Sequence, residues 1–280
     1  MMKFTTIADA RRQTGLSYLG GIATSAKISH SKKYSHQYTY GVYLAPAKLS
    51  GYNVCSHSTP ECRLGCLNTS GRAGIEEFTG TTKIHDCRVK KTKLFHEETA
   101  FFMLWLIAEI RQAQAKAIRD NFFFSVRLNA TSDIDWQKVL VDGKTIFQIF
   151  PDILFYDYTK NAGKFINKPL NYHPTYSYTG RNWDKCTELL AQGVNIAAVF
   201  KVKHEIELPK YYDNYPVING DLTDYRIDDA KGIIIGLKWK RIANRVNEKK
   251  IINSCFVIDP LTDSRCNTNV QKEVNELAVA

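Results

Sequence analysis

Eight short apolar runs, rich in aromatic and β-branched residues, recur along the sequence and are separated by longer connections. They begin at Tyr40, Phe122, Asp152, Thr175, Asn195, Pro216, Gly232 and Cys255. Several of these runs are continuously apolar instead of alternating, which is typical of strands buried on both faces of a parallel sheet. The pattern therefore predicts an α/β protein built on parallel strands.

The connection between the first two runs carries the strongest helix signal. Residues Lys91 to Asp120 are rich in Ala, Leu, Glu and Gln and have a broad apolar stripe. A second helix is predicted over NWDKCTELLAQG, with Gly193 as its C-cap. Alternation of strands and helices indicates βα units. Because the later connections are weakly helical, we expect a TIM-like or partial (βα) barrel with a distorted outline.

The chain reads as one domain with a leading arm. No Gly/Ser/Pro-rich linker divides the 280 residues, and a single α/β barrel typically needs about 250. Residues 1–38 are polar and basic and are predicted to be an N-terminal arm. Residues 39–280 are predicted to be a single barrel-like domain that contains a cysteine loop at 51–74.

Net charge and hydropathy indicate the class of binding partner and the cellular compartment. The net charge of +10 and the pI of about 9.1 favour a polyanionic partner such as nucleic acid. The sequence begins without the apolar core of a secretory signal. Its longest apolar run, Phe101 to Ile107, is far shorter than the roughly 18–20 residues that span a bilayer. We therefore expect a soluble intracellular protein with no membrane partner, where thiols stay reduced.

Three of the seven cysteines lie close together, with the spacing Cys55-x6-Cys62-x3-Cys66. Thiolates are soft ligands that favour zinc or iron–sulfur clusters. Their loop follows the first predicted strand, and parallel α/β proteins bind ligands at such strand ends. The loop is therefore interpreted as a metal site, in which an open fourth position would suit a catalytic cluster. The candidates for a fourth zinc ligand are His57, His85 and Cys87.

Polar side chains also follow the second predicted strand, in SVRLNATSDIDW. Arg127 and Asn129 alternate with apolar residues and are expected on one face, with Asp133 and Asp135 at the strand exit. A buried arginine is costly unless it is paired, so the segment indicates an ion-paired or functional interior. The alternative for Asp133 is that it caps a short helix.

The third predicted strand ends in FYDYTKN, which adds Asp157, Tyr158 and Lys160. Carboxylates from neighbouring strands, here Asp133 and Asp157, can divide into a general acid/base and a nucleophile. The alternative is a structural ion pair of Asp157 with Lys160 or Arg127.

Later strand ends are acidic in NGDLTDYR, with Asp221 and Asp224, and basic and aromatic in GLKWKR. Basic groups among aromatic ones can contact phosphate and stack on bases, although a solvated basic face is the alternative. The sequence has no P-loop, dinucleotide-binding G-x-G-x-x-G, H-E-x-x-H or G-x-S-x-G motif, which argues against nucleotide hydrolysis, NAD chemistry and serine hydrolases.

The blocks LAPAKLSGYNVC…C…CLNTSGRAG, RLNATSDIDW and FYDYTK together resemble the phage gene product 88 family, from about Gly41 to Asp259. The resemblance implies a phage protein made in the cytoplasm of a bacterial host. It implies no particular reaction.

DILFYDYTK also loosely resembles the nucleophile strand of the tRNA-guanine transglycosylase superfamily, some of whose phage members exchange guanine in DNA for a 7-deazaguanine. That resemblance implies Asp157 as nucleophile, Asp133 as general acid/base and a zinc ion. The expected partners are DNA, in preference to RNA, and a modified base. The expected substrate-binding residues are Arg127, Asn129, Asp135, Tyr158, Lys160, Asp221 and Asp224. The expected metal ligands are Cys55, Cys62, Cys66 and Cys87.

The position of the cysteine loop is similar to that in the radical-SAM superfamily. There, three cysteines after the first strand hold a [4Fe–4S] cluster and leave one iron open for S-adenosylmethionine. The x6/x3 spacing differs from the usual x3/x2, and RLNATSD stands where a glycine-rich block is usual. We therefore expect a phage enzyme that modifies nucleic acid, most concretely by base exchange in DNA with zinc as the bound metal. The alternatives are a radical-SAM-like [4Fe–4S] enzyme and non-enzymatic nucleic-acid binding by a metal-stapled protein.

Overall fold

A computed structural model describes residues 5–22, 26–66, 68, 83–242 and 244–267. Within them, a mostly parallel sheet is combined with eight α-helices. The helices are α1 (Ile7–Thr14), α2 (Ala26–Tyr34), α3 (Pro60–Leu64), α4 (Lys83–Glu97), α5 (Thr99–Arg119), α6 (Ile146–Ile149), α7 (Trp183–Ala191) and α8 (Arg245–Ile252). The strands are β1 (Gly20–Gly21), β2 (Gln37–Val42), β3 (Phe123–Arg127), β4 (Leu140–Val141), β5 (Lys144–Thr145), β6 (Leu154–Thr159), β7 (Tyr172–Ser177), β8 (Ile196–Phe200), β9 (Tyr211–Tyr212), β10 (Tyr215–Asn219), β11 (Ile234–Lys238), β12 (Val257–Ile258) and β13 (Cys266–Asn267).

All eight predicted strands form, as β2, β3, β6, β7, β8, β10, β11 and β12, and each pairs in parallel with a neighbour. The order across the main sheet is β1-β2-β3-β6-β7-β8-β11-β10-β9-β13, and β12 pairs with the end of β8. Because the strands are parallel, the loops that follow them emerge at one edge of the sheet. The prediction of a parallel α/β protein is thus confirmed.

One face of the sheet is covered by helices. The largest hydrophobic cluster joins α5 to β2, β3 and β6 and contains Trp105, Val126 and Phe155. A second cluster joins α7 to β7, β8 and β11 around Leu189 and Ile196. Full burial of side chains of this size stabilises the fold by roughly 1.5–3 kcal/mol each. The helical layer therefore supplies most of the core, and the other face is free to carry polar groups.

The sheet is open, so the predicted TIM-like barrel is not confirmed. In the described part of the chain, no hydrogen-bonded pairing joins β2 to β10. The short antiparallel strands β1 and β9 occupy the outer edges of β2 and β10 instead. Helix α2 and the segment after β10 meet beside this gap, where the hydroxyl oxygens of Ser31 and Thr223 lie 3.0 Å apart. We call this gap the seam.

The residues predicted as an arm, where they are described, are built into the domain. Ala10 and Leu19 are fully buried in the main hydrophobic cluster. The carboxylate of Glu109, from α5, accepts hydrogen bonds from the backbone N–H groups of Leu19 (3.0 Å) and Gly20 (3.1 Å) and from the hydroxyl of Tyr40 (2.5 Å). One buried acidic group therefore ties the first residues to α5 and β2.

The helices differ in detail from their predicted bounds. The single helix predicted over Lys91–Asp120 is two helices, α4 and α5, which meet at Glu98. Glu98 has φ −135° and ψ 55°, which no α-helical residue adopts. The second predicted helix forms as α7, and Gly193 follows it at φ +80°. No helix among the described ranges is both long and apolar enough to cross a membrane.

Replacing Glu109 tests how much its hydrogen bonds stabilise the fold. Glu109→Ala leaves three buried donors without an acceptor, and we expect it to lower the free energy of unfolding by at least about 2 kcal/mol. Glu109→Gln keeps an acceptor oxygen and should cost much less. Urea unfolding of both variants measures the difference, and equal losses would contradict this role.

The contribution of Glu109 to the free energy of unfolding depends on pH. Burial raises the pKa of Glu109 above its ordinary value. A raised pKa in the folded state means that stability is lost as the pH rises from the usual glutamate range through the folded pKa. The stability of Glu109→Gln relative to the wild type should therefore increase with pH across that range, as urea unfolding at several pH values would show.

Candidate functional site

A cavity of about 250 Å³ lies at the C-terminal ends of the parallel strands, on the face without the helical layer. Its walls come from the cysteine loop, from the exits of β3, β6 and β7, and from residues of β8, the segment after β10 and the end of β11. All but three of the predicted site residues line it; the exceptions are Asp135, Asp157 and Cys87. The cavity therefore lies at the edge of the sheet where the strand-end rule places ligands.

Cys55, Cys62 and Cys66 form one wall of the cavity, which we call the cysteine wall. Cys62 lies in the first turn of α3, where the side chain of Thr59 caps the helix by accepting its backbone N–H at 3.2 Å. Cys66 follows two residues after this helix ends. Residue 67 and residues 69–74 of the predicted loop lie outside the described residues.

The cysteine loop and the residues that precede it after β2 are hydrogen-bonded to the exit of β3. The carbonyl of Val54 accepts the backbone N–H of Asp133 at 2.7 Å, and the hydroxyl of Thr131 donates to the carbonyl of Leu44 at 2.6 Å. The thiol of Cys55 also lies 4.0 Å from the carbonyl oxygen of Thr131. Two sequence blocks that are 76 residues apart at this contact therefore form one rigid edge of the cavity.

The three thiols share an electrostatic environment. Burial raises the pKa of Cys55 to about 11, and the neighbouring thiols of Cys66 and Cys62 add to the rise. Burial also raises the pKa of Cys66, again with a contribution from Cys62. Burial would lower the pKa of Lys160, but Cys62 and Asp133 raise it above its ordinary value. The ammonium of Lys160 hydrogen-bonds to Cys62, so it lies directly beside the cysteine wall.

The predicted fourth metal ligands lie elsewhere. Cys87, on α4, packs against the main hydrophobic cluster. His57 hydrogen-bonds to Ser56 at 2.9 Å, and Nδ1 of His85 lies 3.2 Å from the amide nitrogen of Asn68. As the described side chains stand, no group of three His, Cys, Asp or Glu residues has the arrangement of a metal-ion site. The described cavity wall thus has three cysteines and none of the proposed fourth ligands.

Asn129 organises the exit of β3. Its amide oxygen accepts hydrogen bonds from the hydroxyl of Ser132 (2.9 Å), the backbone of Ile134 (3.0 Å) and the indole of Trp136 (3.0 Å). Its amide nitrogen donates to Asp157 at 2.5 Å. Asn129 lies at the cavity edge, and its hydrogen bonds hold the RLNATSDIDW loop around it.

Asp133 lines the cavity as an ion-paired carboxylate. It accepts hydrogen bonds from the ammonium of Lys164 (2.7 Å), the hydroxyl of Thr159 (2.7 Å) and the backbone N–H of Lys160 (2.9 Å). Burial would raise its pKa, but Lys164 holds the pKa below the ordinary value. Asp133 is therefore ionised at neutral pH and positions the end of β6.

Asp157 faces the helical layer instead of the cavity. Its carboxylate accepts the hydroxyl of Tyr172 at 2.8 Å and the amide of Asn129, and the residue is 2% exposed. Because side chains alternate along a strand, Tyr158 and Lys160 point to the cavity and Asp157 points away. The two-residue alternation of side chains along a strand is therefore the sequence signal that distinguishes Tyr158 and Lys160 from Asp157. Asp135 lies outside the cavity as well, paired with the exposed Lys138 at 3.1 Å.

A buried ion pair crosses the seam and forms a second part of the cavity. Nη1 of Arg127 donates to both carboxylate oxygens of Asp224, at 2.6 and 2.8 Å, and the hydroxyl of Tyr156 donates to Asp224 at 3.1 Å. Burial would lower the pKa of Arg127, but Asp224 raises it; burial would raise the pKa of Asp224, but Arg127 lowers it. The expectation of a paired interior arginine is met by this contact.

Asp221 connects the same part of the cavity to α2 and β11. It lies 3.7 Å from the ammonium of Lys27 and 3.2 Å from that of Lys240, and it accepts the backbone N–H of Lys238 at 2.7 Å. Lys27 was not predicted, because a lysine in the polar segment KISHSKK has the pattern of a solvated face. Only the packing of α2 beside the seam brings it to the cavity.

Two conservative substitutions separate the roles of the two aspartates. Asp133→Asn removes the carboxylate that contacts the ammonium of Lys164 at 2.7 Å and leaves Asp157 as a nearby anionic neighbour. Because the Lys164 side chain is 1% exposed, the substitution should cost about 3 kcal/mol of unfolding free energy. Asp157→Asn should cost less, because the amide can still accept from Asn129 and the rotatable hydroxyl of Tyr172 can turn to accept. Urea unfolding measures both, and a larger loss for Asp157→Asn would contradict the assignment.

Comparison with known proteins identifies one family. The sequence model of the family described as gene product 88 matches residues 17–258. Searches of curated proteins and of solved structures gave no match. The matched span runs from before β1 to the end of β12 and includes every cavity residue named above. The chain therefore belongs to the gene product 88 family of phages.

Proposed function

We propose that the protein is an enzyme whose reactive centre is a metal cluster held by Cys55, Cys62 and Cys66, with chemistry of the radical-SAM type. The observation that carries the proposal is that three cysteines, from one loop after the first parallel strand, line one cavity. As the described side chains stand, the thiols are not in a metal-binding arrangement, so holding a cluster requires the loop to bring them closer together. Soft sulfur ligands suit iron–sulfur clusters, and three of them leave a fourth position for a ligand.

The cavity itself fits a bound ligand beside such a cluster. Among the described residues that line it, Tyr158 and Trp239 each have a buried donor atom, Oη and Nε1, without a hydrogen-bond partner. Buried polar atoms are nearly always satisfied, so unsatisfied donors in a cavity wall indicate groups that a ligand would complete. When bound, a [4Fe–4S] cluster of this kind supplies one-electron chemistry with S-adenosylmethionine as co-substrate.

The chain's own residues prepare and enclose this site. The ammonium of Lys160 hydrogen-bonds to Cys62, and Asp133 accepts the backbone N–H of Lys160. Apolar lining residues, among them Leu237 and Phe256, reduce the access of water. A volume of about 250 Å³ suits a small molecule or one extruded nucleotide, not a duplex.

Base exchange in DNA receives less support from the geometry. That reaction would need the carboxylate of Asp157 at the substrate, whereas Asp157 is enclosed by Asn129 and Tyr172 behind the strand. Of the two carboxylates, only Asp133 lines the cavity. The net charge of +10 supports a polyanionic partner in either reaction, so we keep nucleic acid or a nucleotide as the proposed partner, in the cytoplasm of a bacterial host.

Anaerobic purification with iron and sulfide analysis tests the cluster. We expect about four iron and four sulfide per chain, and their loss in Cys55→Ala, Cys62→Ala and Cys66→Ala. Cys255→Ala, at an exposed position, is the matched control and should keep both. Cleavage of S-adenosylmethionine by the reduced protein is the expected activity.

Other outcomes would overturn the proposal. One zinc without sulfide, with metal lost in Cys87→Ala, would identify a structural zinc site. Purification of protein without any metal, after anaerobic expression with iron, would refute the proposed metal cluster.

A further inference from the structure

A second group of side chains in the cavity carries chemistry that a metal cluster does not use. We call it the cationic pocket and define it as Lys27, Arg127 and Tyr158 with the partners Asp221 and Asp224. These residues come from α2, β3, β6 and the segment after β10, so they meet only in the tertiary structure. The guanidinium of Arg127 lies 4.9 Å from the centre of the Tyr158 ring, and the ammonium of Lys27 lies 6.0 Å from it.

The charges of the cavity are unbalanced. Among the described lining residues, five side chains are cationic and three are anionic, and Glu205 adds a carboxylate that pairs with Lys238 at 3.0 Å from outside the lining. The cations are Lys27, Arg127, Lys160, Lys238 and Lys240, and the anions are Asp133, Asp221 and Asp224. Cations therefore outnumber carboxylates along the described wall, so the cavity suits an anionic ligand better than a cationic one.

The cationic pocket also contains hydrogen-bond donors that have no partner among the described residues. Nε of Arg127 and Oη of Tyr158 are buried without a hydrogen-bond partner in the described chain. The ammonium of Lys27 lies 3.7 Å from the carboxylate of Asp221, which is beyond hydrogen-bonding distance. Burial lowers the pKa of Lys27 despite the nearby Asp224 and Asp221, which agrees with an incompletely compensated cation.

We propose that Lys27, Arg127 and Tyr158 bind the phosphate of a small phosphate monoester that occupies the cavity. A phosphate monoester carries a charge of about −1.5 to −2 at neutral pH and has three strong acceptor oxygens, which suit a wall with more cations than carboxylates and the two donors without partners. Arginine and lysine together are the usual phosphate-binding pair, one as a planar fork and the other as a point charge. The inference names the substrate class of the proposed enzyme and in that sense rests on the proposed function.

Calorimetric titration with ribose 5-phosphate tests the proposal, with ribose and succinate as comparison probes. We expect the wild-type protein to bind ribose 5-phosphate at least about tenfold more tightly than either. Tyr158→Phe removes an oxygen that has no partner in the protein, so it should weaken binding without affecting folding. Lys27→Met should weaken binding by about tenfold or more.

Lys33→Met is the matched control. Lys33 lies on the same helix as Lys27 and carries the same charge, but it does not line the cavity. Binding should be unchanged in this variant, and a loss equal to that of Lys27→Met would overturn the proposal by showing a non-specific charge effect. Tighter binding of succinate than of ribose 5-phosphate, or no binding of ribose 5-phosphate, would also overturn it.

The same titration on Cys62→Ala separates this inference from the proposed function. Cys62 belongs to the cysteine wall, so its loss should leave phosphate binding within about twofold of the wild type. If the wild-type protein binds ribose 5-phosphate but contains no iron, the proposed cluster is refuted and the phosphate site is supported. If it contains iron but does not bind ribose 5-phosphate, the phosphate site is refuted and the cluster is supported.

Discussion

The buried ion pair between Arg127 and Asp224 is the contact on which the rest of the cavity depends. It joins the exit of β3 to the segment after β10, across a seam that no strand pairing closes. Arg127 and Asp224 are each partnered within a largely water-excluded site, and a buried charge that loses its partner is strongly destabilising. The pair therefore joins two parts of the open sheet beside the cavity, whose wall both residues line.

Within that shape, strand alternation decides which side chains reach the cavity. Along β6, Tyr158 and the following Lys160 line it, whereas Asp157 between them is directed to the helical layer. The carboxylate that looked most like a nucleophile in the sequence is thereby held by Asn129 and Tyr172. The cysteine wall and the cationic pocket remain as the polar groups at the cavity, and this distribution is the reason for proposing a cluster enzyme instead of base exchange.

The strands were predictable because each is a compact apolar run whose burial on both faces shows directly in composition. The break at Glu98 was not, since the residues on both sides have helical composition and only the packing of α4 and α5 sets the angle between them. Whether the sheet closes into a barrel was not predictable either. It depends on the residues that hydrogen-bond to the outer edges of β2 and β10, and here the short strands β1 and β9 occupy them.

The sequence by itself determined the parallel α/β architecture, the family, and the position of Cys55, Cys62 and Cys66 at a strand end, because these follow from local apolar pattern and motif spacing. Only the tertiary structure decided that Lys27 reaches the cavity and that Cys87 packs against the core instead. Both outcomes depend on how helices pack against the sheet. Such packing is set by contacts between residues far apart in the chain, which local sequence patterns do not record.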